Sequence, residues 1–81
     1  MKDIVHYTIL IPYVTTSTSS FCWIEYRGDD VGYDWWNSSP KVFLSEDEAL
    51  DTIAKSEYLK HSGWQLCKTI ERSEIIKEYT P

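Results

Sequence analysis

Asp3 to Val14 reads D-I-V-H-Y-T-I-L-I-P-Y-V, rich in β-branched and aromatic residues and without a helical period. Alternation places Val5, Tyr7, Ile9, Ile11 and Tyr13 on one face and Ile4, His6, Thr8 and Leu10 on the other. Both faces are mostly apolar, which predicts an inner strand covered on both sides, or covered by a partner on one. Pro12 brings no N–H to a ladder, so pairing should weaken near the strand end. Phe21 to Arg27 alternates as a second strand, with Phe21, Trp23 and Glu25 on one side and Cys22, Ile24 and Tyr26 on the other. The hydroxyl run Thr15–Ser20 between them predicts a hairpin loop, and Gly28-Asp29-Asp30 a turn that ends the second strand.

Gly28 to Lys41 holds two glycines, a proline and three aspartates, too many breakers for one continuous strand. Short strands are expected around Tyr33–Trp36 and Val42–Leu44. Ser45-Glu46-Asp47-Glu48 then has the form of a capping box, with Leu44 and Ala49 at the staple positions. Three acids in the first turn suit the positive end of a helix dipole. Ala49, Leu50, Ile53 and Ala54 form a narrow apolar stripe, and Lys60, His61 and Gly63 mark the stop. Tyr58 and Leu59 fall off the stripe, so the last turn should be distorted or pack elsewhere. Trp64 to Arg72 alternates as a final strand, and the tail Ser73–Tyr79 fits either a helical turn or a strand extension. These elements sum to a single α+β domain over residues 1–81, ordered strand–strand–short strand–helix–strand. Its antiparallel sheet of three to four strands carries one helix packed on one face.

With 81 residues the chain has room for one core, and 42% apolar content excludes a disordered chain. No apolar run is long enough to cross a bilayer as a helix, and no apolar h-region follows Met1-Lys2, so a signal peptide is not expected. Charge adds a location. Residues 25–51 hold eight acids (Glu25, Asp29, Asp30, Asp34, Glu46, Asp47, Glu48 and Asp51) against Arg27 and Lys41 alone. The rest of the chain has five acids and six bases, so the whole net charge of −5 arises in that segment. Such a segment favours a basic partner surface and disfavours direct contact with nucleic acid, which needs clustered Lys and Arg.

Cys22 and Cys67 form no C-x-x-C pair and read as reduced thiols of a cytoplasmic protein. With His6 and His61 they match no zinc spacing, so no metal and no cofactor are expected. Asp29, Asp30 and Asp34 lack the calcium-loop pattern and its distal Glu. No nucleophile elbow, Ser/His/Asp order or glycine-rich phosphate loop is present, and an enzyme is not expected. Adjacent Trp35 and Trp36 are hard to bury together in one small core, and with Tyr33 they have the chemistry of interface anchors. The candidate partner-binding residues are therefore Asp29, Asp30, Tyr33, Asp34, Trp35, Trp36, Glu46 and Asp47.

The junction Phe43-Leu44-Ser45-Glu46-Asp47-Glu48-Ala49-Leu50, the net acidity, the aromatic loop and the small α+β format resemble the acidic accessory proteins of phages and mobile elements, including anti-CRISPR and anti-restriction proteins. That resemblance implies a stoichiometric, non-catalytic inhibitor in a bacterial host cytoplasm, covering a basic nucleic-acid-binding site on a protein target. It carries over no site residue. Two other readings fit the residues: a carbohydrate-binding module using the Trp pair beside Asp34 and Asn37, and a homodimer in which a twin covers the first strand.

Overall fold

A computed structural model describes residues 5–14, 20–29 and 37–81. The first strand, β1 (His6–Val14), is the axis of the sheet. On one edge its C-terminal half pairs antiparallel with β2 (Phe21–Glu25), from Leu10 opposite Glu25 to Val14 opposite Phe21. Along the same edge its N-terminal half pairs with β3 (Val42–Phe43), Tyr7 opposite Phe43 and Thr8 opposite Val42. The chain leaves this edge after Tyr26, whose N–H donates to the Ile9 carbonyl at 2.7 Å. It rejoins at Lys41, whose N–H donates to the Tyr26 carbonyl at 3.0 Å. Tyr26 and Lys41, at the two ends of the acidic segment, are thus held together at this edge. Arg27 donates from Nε to the Ser38 carbonyl at 3.1 Å and from a terminal nitrogen to the Glu25 carbonyl at 3.3 Å.

On its other edge β1 pairs with β4 (Trp64–Thr69), from His6 opposite Thr69 to Leu10 opposite Gln65. Pairing with β4 stops there, two residues short of Pro12, while pairing with β2 runs on to Val14. The bond from Tyr26 to Ile9 sets the phase of the β1–β2 ladder: Pro12 sits at a non-hydrogen-bonded site opposite Trp23. Its missing donor faces the β4 side, so the expected weakening falls on that edge alone. The last strand, β5 (Ser73–Tyr79), pairs with β4. The sheet therefore has five antiparallel strands, in the order β2-β1-β4-β5 with β3 continuing the β2 edge, rather than three to four. The additional strand is the tail, whose alternation is masked because Leu66 faces Lys77 but Cys67 faces Ile75. Ile76 is the extra residue of this bulge, and it packs against the core.

The helical segment is two helices rather than one, α1 (Glu46–Lys55) and α2 (Glu57–Ser62), broken at Ser56. Ser45 caps α1 as expected, its side chain accepting from the Glu48 N–H at 3.2 Å. Leu44 stays 72% exposed, so the staple adds little. The stripe of α1 buries Ala49 and Ile53, and α2 turns so that Leu59 is fully buried. That is why Leu59 falls off the α1 period. Both helices cover one face of the sheet, where Ile9, Ile11, Tyr26, Ala49, Ile53, Leu59 and Leu66 form the core. Gly63 ends α2 at φ 80°, and the space a side chain would need is taken by the Tyr79 carbonyl and the Pro81 ring. The C-terminal residues are thereby seated over the start of β4.

Candidate protein-binding surface

Ser56 breaks the helix because its backbone is extended, at φ −89° and ψ 118°, and because its side chain has two partners. The hydroxyl accepts from the Leu59 N–H at 3.0 Å, capping α2, and donates to Asp29 at 2.6 Å. The Tyr26 hydroxyl donates to the same carboxylate oxygen. Burial pulls the Asp29 carboxyl upward, but the hydroxyls of Ser56 and Tyr26 outweigh it. With the backbone N–H groups of Tyr58 and Glu57 they hold it below the ordinary aspartate value. Burial, together with the hydrogen bond to Asp29 and its charge, pushes the Tyr26 phenol up to about 12. Asp29 thus closes the first turn of α2 from across the molecule. Its carboxylate is engaged within the fold, and as placed it is not a free surface charge.

Glu46, at the start of α1, lies 3.4 Å from Lys77 and ties the helix to β5. Asp47 and Glu48 are exposed on the outer side of α1, followed one turn on by exposed Asp51, which pairs with Lys55 at 2.9 Å. Glu57 of α2 pairs with Lys60 at 3.2 Å. The helix side of the molecule therefore presents a row of acids, of which Asp47 and Glu48 have no ion pair among the described residues. Asp30, Tyr33, Asp34, Trp35 and Trp36 lie outside the described residues, as does the expected strand around Tyr33–Trp36. Of the eight candidates, the structure brings together only Glu46 and Asp47, at the head of α1, and places Asp29 at the head of α2.

The opposite face of the sheet has a different character. Register and alternation put Leu10, Pro12, Val14, Phe21, Trp23 and Val42 there, away from the helices. Phe21 and Trp23 meet edge to face, with ring centroids 5.7 Å apart and planes at 90°. Phe21 is 58% exposed and Val14 56%. In the sequence, the signal for this apolar surface is the shared side of Phe21, Trp23 and Glu25. An apolar side on an edge strand has to be covered by something or left bare, and the pattern alone does not say which.

Cys22 and Cys67 are free thiols on opposite faces, since they stand across from Tyr13 and Thr8, adjacent-parity positions of β1. Burial raises the Cys67 thiol above its ordinary value. Among the described residues no helix is long and apolar enough to cross a membrane. Comparison with protein-family models, with characterised proteins and with solved structures found no match.

Proposed function

We propose that this chain is a non-catalytic protein-binding inhibitor that lays its acidic helix side on a basic, nucleic-acid-binding surface of a protein target. The observation that carries the reading is the row Asp47, Glu48 and Asp51 on the outer side of α1, extended by Glu46 and Glu57. Among the opposing bases on that side, Lys55, Lys60 and Lys77 are already paired, with Asp51, Glu57 and Glu46. A surface of one sign raises the rate of encounter with an opposite one and competes with phosphate groups for it. A bacterial cytoplasm, as the phage-type format implies, is the setting this reading assumes. No cofactor or metal enters it.

The test is capture from a bacterial lysate at low and high salt, using the whole chain and a D47N/E48Q/D51N variant. The expected result is a nucleic-acid-binding protein retained at low salt, released at high salt and lost with the variant. The captured protein should release its nucleic acid when the chain is added. Retention that ignores both salt and the three neutralisations would sink the proposal.

A further inference from the structure

The geometry points to a second binding surface on the face of the sheet turned away from the two helices, suited to a short protein segment with apolar side chains at its centre and Lys or Arg at its ends. This rests on the reading of the chain as a binding protein, and names what a partner would offer to this face. Two observations carry it: an apolar patch in solvent and the charges that border it.

Because β4 begins at Trp64, opposite no residue of β1 beyond Leu10, the pairs Pro12–Trp23 and Val14–Phe21 extend past the body of the sheet as a two-stranded arm. One side of this arm is turned away from the helices. Here that side holds Pro12, Val14, Phe21 and Trp23, and Phe21 and Val14 keep more than half their surface in solvent. Val42 and Ile75, on the same face, are 57% and 53% exposed, with Thr8 and the buried Cys67 between them. Concentrated exposed apolar surface of this kind marks an interaction site.

The charges choose the occupant. Glu25, Leu10, Gln65 and Glu78 form one row across the sheet, with a carboxylate at each end. Gln65 donates to Glu78 at 3.2 Å, which fixes Glu78 on this face. Both strand lysines, Lys68 and Lys77, stand on the helix side, opposite Tyr7 and Leu66. The strand positions of the face away from the helices therefore hold two acids, His6 and no Lys or Arg. A second copy would bring the same acids and no base to meet them. Area argues the same way. Four strands about 4.8 Å apart and about 30 Å long give a footprint of at most about 600 Å². A stable protein pair buries about 800 Å² on each partner. A segment lying across the row fits both the size and the charge.

The experiment titrates the isotope-labelled full chain with three short synthetic peptides and follows backbone amide shifts. One peptide has an Ile/Val/Phe centre with Lys at both ends, one has the same centre with Glu at both ends, and one is Lys alone. The expected result is that the Lys-ended apolar peptide shifts Leu10, Phe21, Trp23, Glu25 and Glu78 and leaves Asp47–Asp51 in place. The E25Q/E78Q variant should weaken it about three- to tenfold, and F21S, at an exposed position that spares the fold, by at least as much. Equal binding of the Glu-ended peptide, or no shift on this face with any peptide, overturns the inference. So does sedimentation showing a dimer that F21S dissociates, because the occupant is then a second copy. Lysate capture lost in the D47N/E48Q/D51N variant while the peptide still binds, or the reverse with F21S, separates this surface from the acidic one.

Discussion

The Ser56 hydroxyl donates to the Asp29 carboxylate at 2.6 Å, joining the chain just after β2 to the break between the two helices. One contact between residues far apart in the chain thereby helps fix where α1 ends and α2 begins. Asp29 is used as a cap, satisfying backbone groups that a six-residue helix leaves open.

Neutralising Asp29 should loosen both elements. Asp29→Asn is expected to lower the unfolding free energy by about 1 kcal/mol, a modest figure because the carboxylate is largely open to water. Its folded pKa lies below the unfolded value, so the contribution is present above about pH 4 and is lost as pH falls through the folded pKa. Urea unfolding across pH 2–7 should show the native chain and the variant converging at the acid end. A constant gap would contradict the assignment. Ser56→Ala should cost about 1–2 kcal/mol, and the double variant less than the sum, because both remove the same bond.

Tyr26 gives the alkaline counterpart. With its phenol at about 12 in the fold and about 10 when unfolded, its contribution is complete below pH 10. It declines as pH rises toward 12. The stability difference between the native chain and Tyr26→Phe should narrow over that interval. Unfolding curves at neutral and alkaline pH check it.

Gly63→Ala is expected to destabilise by about 2 kcal/mol or more. The new Cβ would fall 2.7 Å from the Tyr79 carbonyl and 2.8 Å from the Pro81 ring, at a positive φ. Deleting Pro81 in the same chain should recover only part of the loss, since the carbonyl contact and the backbone strain remain. Denaturant midpoints of the three chains decide it.

The two thiols should separate by rate. Exposed Cys22 should react with a disulfide reagent at once, and buried Cys67, with its raised pKa, only as the fold opens. Two fast thiols in the folded chain would contradict the burial of Cys67.

Much of the fold was legible because its signals are local. The β1 and β2 alternation, the Ser45 cap and the β4 pattern each follow from residues adjacent in sequence. The helix break was not, because Ser56 alone looks like an ordinary polar helix residue. Its meaning comes from Asp29, which arrives through the tertiary fold. The tail was hidden by the Ile76 bulge, which sets two isoleucines side by side and cancels the period of two. At the candidate surface, the acidic location was readable as charge, but not which acids are engaged by other elements. Asp29 and Glu46 are held by partners from other elements, whereas Asp47 points to solvent.

The pairing of His6 with Thr69 spans most of the chain, although β1 is the axis of the sheet. During synthesis β1 and β2 emerge well before β4. The central strand therefore stands with one edge open until β4 follows, when an apolar edge is most exposed to wrong pairing. Such long-range pairing is also slow to form. Soluble yield, more than equilibrium stability, should be the quantity most sensitive to changes in β4.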